Sequence, residues 1–117
     1  MPAGTSITGS ATGGAQANNV TLAGVTGKTT YITGFVVSGG GATGASIISV
    51  TLTGTITGTM NFSLPIPAGA TAAVTPLVVV FNTPIPASAT NTAIVLNVPS
   101  FGSGNTAASA CAYGFQL

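Results

Sequence analysis

Ile48-Ser49-Val50-Thr51-Leu52-Thr53-Gly54-Thr55-Ile56-Thr57-Gly58-Thr59-Met60-Asn61-Phe62-Ser63-Leu64 alternates from end to end: every even position is apolar or glycine and every odd one is Ser, Thr or Asn. Successive side chains of a strand point to opposite faces, so this period of two describes extended chain with one apolar and one hydroxyl face. Gly54 and Gly58 interrupt the run, which predicts a hairpin with strands near 48–53 and 59–64. Pro65-Ile66-Pro67-Ala68-Gly69 ends the second strand, because proline cannot donate a ladder hydrogen bond.

The same logic extends outward. Thr29 to Ser38 carries apolar residues on both parities, and Leu77 to Phe81 is a continuous apolar run that suits a central strand. Thr92 to Val98 puts Ile94, Leu96 and Val98 on one face, and Ala107 to Phe115 puts Cys111, Tyr113 and Phe115 on one face. Asn19 to Leu22 and Ser6 to Thr8 are short candidates, and Ala70 to Val74 is ambiguous. Seven or eight short strands at this spacing describe an all-β chain, an antiparallel β-sandwich or barrel. Val, Ile and Thr favour the pleated sheet, and frequent Gly and Pro block long helices.

Residues 1–18, rich in Gly, Ser, Thr and Ala, read as a flexible N-terminal arm, and 19–117 as a single sandwich domain. Ser100 to Asn105 reads as a loop before the last strand. Pro65-Ile66-Pro67-Ala68-Gly69-Ala70-Thr71 recurs as Pro84-Ile85-Pro86-Ala87-Ser88-Ala89-Thr90. Two copies are too few for a solenoid. They read as two rigid crossovers between strands, with a paired contact surface at one end of the sandwich as the alternative.

Function is narrowed by what is missing. The 117 residues include no Asp, Glu, His, Arg or Trp, and Lys28 is the sole lysine. General acid-base catalysis needs side chains that titrate near working pH, so no catalytic residues are expected and an enzyme is disfavoured. Metal sites need thiolates, imidazoles or carboxylates, so neither metal nor cofactor is expected. With a formal charge of +1 the chain has almost nothing with which to neutralise phosphates, which argues against nucleic acid. A charge-poor surface lacks the repulsion that keeps monomers apart, so the chain is expected to live assembled. The first residues have neither a basic region nor an apolar stretch of signal-peptide kind, which leads to an expectation of cytoplasmic synthesis. No run approaches the length of a membrane-spanning helix.

Gly39-Gly40-Gly41-Ala42-Thr43-Gly44 fits the G-x-G-x-x-G pattern, but Ile47 to Thr51 beyond it reads as a strand rather than a helix and the chain has no acid, so a flexible hairpin loop is expected. Gly27-Lys28-Thr29 is spaced too closely to Gly24 for a phosphate-binding loop, and Lys28 reads as a solvated turn residue. Cys111, with no His or cation near it in sequence, reads as a buried small hydrophobe. Asn19-Val20-Thr21 and Asn61-Phe62-Ser63 fit a glycosylation pattern without a secretory signal beside them. The ladder Thr51, Thr53, Thr55, Thr57 and Thr59 reads as a solvated sheet face or an uncharged contact face. Phe101, between Ser100 and Gly102, must cap the sandwich or anchor in a partner's pocket. These five threonines and Phe101 are the candidate assembly contacts.

The succession Gly24 to Phe35, then Val74 to Phe81, then Pro84 to Ala89, with the Gly114-Phe115-Gln116-Leu117 end, resembles small β-sandwich virion proteins of tailed bacteriophages, the head decoration or cement proteins. The resemblance lies in composition, size and strand layout. It implies a jelly-roll-like sandwich, a homodimer or homotrimer bound to the major capsid protein on the outside of the head, with no nucleic acid, membrane or small-molecule substrate. Two alternatives stand beside it: a head-fibre or tail component recognising a host glycan, and a Thr-rich ice-binding type of protein.

Overall fold

The computed structural model describes residues 4–105 and 107–117. These form eight strands: β1 Thr5–Gly13, β2 Val20–Leu22, β3 Thr30–Gly40, β4 Ser46–Thr53, β5 Met60–Ile66, β6 Leu77–Pro86, β7 Ile94–Asn97 and β8 Ala107–Gln116. They make two antiparallel sheets of four, ordered β1-β8-β3-β6 and β2-β7-β4-β5.

The pairings are nested. β4 pairs with β5, β3 with β6, β2 with β7 and β1 with β8. The chain is thus one long hairpin, folded at 54–59 and rolled so that β3 also meets β8 and β4 meets β7. That is the strand order of a jelly roll. The alternating stretch supplies its tip: Leu52 pairs with Met60, and Gly54 and Gly58 turn the chain at φ +87° and +84°. Glycine reaches this half of φ space without steric cost.

Alternation decides what is inside. Val50 and Leu52 of β4, Leu64 and Ile66 of β5, Ile94 and Leu96 of β7 and Val20 and Leu22 of β2 are buried from one sheet. Ile32, Phe35 and Val37 of β3 meet them from the other, with Ala108, Ala110 and Ala112 of β8. The alanines keep β8 thin where it faces the second sheet. The accessible surface, 5700 Å2, is what a compact 11.1 kDa monomer exposes, about 5700 Å2. The sandwich is elongated, 46 × 22 × 21 Å.

Several expectations are corrected. Half of the segment read as an arm, Thr5–Gly13, is β1, paired residue by residue with β8 from Thr5 opposite Gln116 to Gly13 opposite Ala108. Met1, Pro2 and Ala3 lie outside the described residues. Leu77 to Phe81 is in an edge strand, with Val78 and Val80 turned to solvent. Gly39 to Gly44 does not close a hairpin, because β3 and β4 belong to different sheets. It is laced into the fold: the Gly41 amide donates to the Ala72 carbonyl at 3.1 Å, the Thr43 amide donates to the Ser103 carbonyl at 2.8 Å, and Ala42 is fully buried.

The two Pro-Ile-Pro-Ala segments each carry the chain from one sheet to the other, at opposite ends of the sandwich. After β5, the Gly69 amide donates to the Ala42 carbonyl, 2.8 Å, beside the β3–β4 connection. After β6, the Ala87 amide donates to the Thr30 carbonyl, 2.7 Å, and the Asn91 amide to the Lys28 carbonyl, 2.9 Å, beside the β2–β3 connection. A single contact surface made of both copies is therefore ruled out.

Candidate functional site

The described residues hold no cluster of three or more His, Cys, Asp or Glu. Lys28 closes a turn with Val25, Gly27 supplying φ +78°, and its Nζ donates to Thr5 Oγ1 at 3.4 Å. What the chain offers to a partner is two outer sheet faces and the flanks between the sheets.

The outer face of the β2-β7-β4-β5 sheet is mostly hydroxyl and amide, with Val95 of β7 between Thr21 and Thr53. Ser49 pairs with Ser63, and Thr51 lies between Asn61 of β5 and Asn97 of β7. Thr53 Oγ1 donates to the Val95 carbonyl at 3.3 Å and accepts from Asn97 Nδ2 at 3.3 Å. In-register partners share a face, so these groups form one polar, uncharged surface. At its far end Ile47, 73% exposed, sits opposite Pro65.

The threonine ladder is split. Thr51 and Thr53 belong to this face. Thr55 is only 4% exposed: its Oγ1 donates to the Gly58 carbonyl at 2.7 Å and lies 3.0 Å from Thr57 Oγ1, which closes the hairpin tip. Thr57 and Thr59 are exposed in the tip itself. The five do not make one flat array, and the strands beside β4 carry Asn, Ser and Val where a multistrand threonine lattice would need threonine.

Phe101 is corrected as an assembly contact. It is 1% exposed and belongs to the core, its ring against the backbone of Gly39, where a Cβ would stand 2.7 Å from Phe101 Cε2. Its loop is held by Asn105, whose Nδ2 donates to the Gly40 and Ala107 carbonyls. The phenyl ring closes the sandwich of its own chain.

The outer face of the β1-β8-β3-β6 sheet was not singled out by sequence reasoning. Tyr31 of β3 stacks on Phe115 of β8, ring centroids 4.9 Å apart and 11° from parallel. Tyr113 of β8 lies over Gly34 of β3. Cys111, Val36 and Val78 stand in register across β8, β3 and β6. Cys111 is exposed, which corrects its expected burial. The signal was present in the sequence: Cys111, Tyr113 and Phe115 do share one face, but it is the face turned from the core.

This half-apolar face passes to hydroxyls at β1, where Ser6, Thr8, Ser10 and Thr12 are exposed opposite Phe115, Tyr113, Cys111 and Ser109. The described residues thus expose faces suited to burial and neutral hydrogen bonding, with Lys28 set apart in a turn. No protein-family model matches the chain, and neither a curated protein nor a solved structure is detectably similar to it.

Proposed function

We propose that this protein is a non-enzymatic structural protein of a virus particle, a decoration or cement protein that binds the outer shell of a phage head. The observation that carries the reading is an eight-stranded jelly roll whose two outer faces bear no charged side chain. Jelly rolls recur in viral capsid and lectin domains. A protein without ionic repulsion suits a site that is repeated many times, where modest contacts act together. The partners proposed are the major capsid protein and further copies of this chain, at the capsid surface, with no cofactor.

The test is made on particles of the phage that encodes the chain. The protein should copurify with them, appear as jelly-roll density outside the shell, and remain attached in molar NaCl, because burial and neutral hydrogen bonds are little screened by salt. Absence from purified particles refutes the reading. Release by salt with the shell intact refutes attachment through neutral surfaces.

The second reading, a fibre or tail component that recognises a glycan, draws on the Tyr31–Phe115 stack beside the β1 hydroxyls. Aromatic faces with adjacent hydrogen-bonding groups suit sugar rings. Saturable binding of the isolated protein to host glycans, lost in Phe115→Ala, would favour it.

A further inference from the structure

The two flanks of the sandwich are unlike. On one, β1 closes onto β2 so tightly that a Cβ at Gly9 would stand 2.9 Å from Val20 Cγ1. On the other, β6 and β5 leave the core half covered: Ile48, Met60, Phe62, Leu77, Val79 and Phe81 are apolar residues packed on the core yet still partly exposed. Phe35 links this row inward, its ring 5.2 Å from Phe62 and 6.3 Å from Phe81.

The Leu77–Phe81 half of β6 is also an unblunted edge. Among the described residues, no backbone hydrogen bond reaches Leu77–Ile85 except from β3. Val78 and Val80 are 59% and 65% exposed on its outer side. Natural edges are usually protected by charge, proline or shortness. β2 is three residues long, β5 carries Pro65 and the far end of β6 carries Pro84 and Pro86, whereas Leu77 to Phe81 has no such device; β1 lacks one too, but the side chains it exposes on its outer face are Ser and Thr.

We infer that a second copy of this chain covers this flank, β6 pairing antiparallel with β6 of its partner about a two-fold axis at Val79. The strand is self-complementary in that register. Leu77 falls opposite the other copy's Phe81, Val78 opposite Val80 and Val79 opposite itself, so apolar residues meet on both faces. Moving the axis one residue to Val80 sets Val78 opposite Asn82 and Leu77 opposite Thr83, which loses the match. A second copy of the same strand meets both the unpaired backbone and the apolar side chains of this edge, and an isologous pair closes at two. The inference does not rest on the capsid reading: a fibre subunit or a free protein would pair in the same way.

Five paired residues span about 17 Å of strand. Against the 21 Å depth of the sandwich this footprint lies below the roughly 600 Å2 per partner that marks the small end of specific interfaces. The dimer is therefore of the concentration-dependent kind.

Sedimentation equilibrium of the full chain across micromolar to millimolar concentration tests it. The mass should rise from 11.1 kDa toward twice that value. The double variants Val78→Lys with Val80→Lys, and Val78→Glu with Val80→Glu, place like charges opposite one another and should each stay monomeric with an unchanged melting temperature. Mixing the two should restore association. A wild-type chain that remains monomeric, a lysine variant that associates like wild type, or a mixture that does not recover overturns the proposal. Cys111 separates edge pairing from stacking of the outer faces: edge pairing keeps the two thiols about five strand spacings, roughly 24 Å, apart. Rapid oxidative cross-linking of associated wild-type protein through Cys111 would equally overturn it.

Discussion

Tyr113 lies across Gly34 of the neighbouring strand: the two are register partners, and a Cβ built on Gly34 would stand 2.5 Å from Tyr113 Oη and 2.6 Å from the Val79 carbonyl oxygen. Gly34 is the place where β3 resumes after the irregularity beyond Ile32, so the missing side chain admits both the phenol and the backbone of β6. Gly34→Ala should destabilise the fold by about 1–3 kcal/mol through overpacking. Tyr113→Ala removes one of the two obstacles but leaves the carbonyl, so the double variant should recover only part of the loss. Urea unfolding of the two single variants and the double variant reads this out, and full recovery would show that the β6 backbone is free to move.

Phe101→Ala should cost about 3–5 kcal/mol, since it empties a fully buried aromatic site against Gly39. Val78→Ala, on an exposed side chain, should stay within about 0.5 kcal/mol. Denaturation midpoints of the two variants make the comparison, and a near-silent Phe101→Ala would mean that the loop is not closing the core.

Deleting residues 2–17 should abolish the folded state or leave it aggregation-prone. The deletion removes β1, strips β8 of one of its two ladders, from Gln116 to Ala108, and bares Val20 beneath Gly9. Circular dichroism and sedimentation of the truncated chain check this. A truncated monomer with the full-length melting temperature would return the segment to the status of an arm.

Stability should be level between about pH 4.5 and 7, because no Asp, Glu or His is present and no other side chain ordinarily titrates there. Folded and unfolded chains then bind equal numbers of protons, and the slope of stability with pH is zero. Melting temperatures across that range should coincide. A systematic drift would reveal charged groups supplied by something bound to the protein.

What could be read from the sequence tracks the strength of its alternation. The 48–64 hairpin was legible because its two faces differ at every position. β8 was legible as a strand but not in the way it faces, because its inner face is Ala108, Ala110 and Ala112, smaller than the Cys111, Tyr113 and Phe115 that it turns outward. Size pointed to the wrong side. β6 read as central because a run without polar residues suits a strand covered on both faces, whereas here it marks a flank left bare. β1 contributes backbone more than side chains, Ser, Thr and Gly along a ladder, and a hydrophobic pattern cannot register that. Thr51 and Thr53 were assigned correctly to the first strand, but Thr59, read as opening the second, lies in the tip, and the inward aim of Thr55 was not legible, since a hydroxyl that closes a turn looks in sequence like one that meets water.

The pairing of Thr5 with Gln116 sets an order in time as well as in space. During synthesis β1 leaves the ribosome first and its partner β8 last, so at about 5–20 residues per second the first strand waits several seconds for its ladder. Contacts this far apart in sequence also make folding slow, because the loop they close must be ordered before they reward it. The interval is passed by a nearly uncharged chain with open strand edges. Yield in the host should therefore depend on the rate of translation and on chaperones more than on the stability of the finished sandwich.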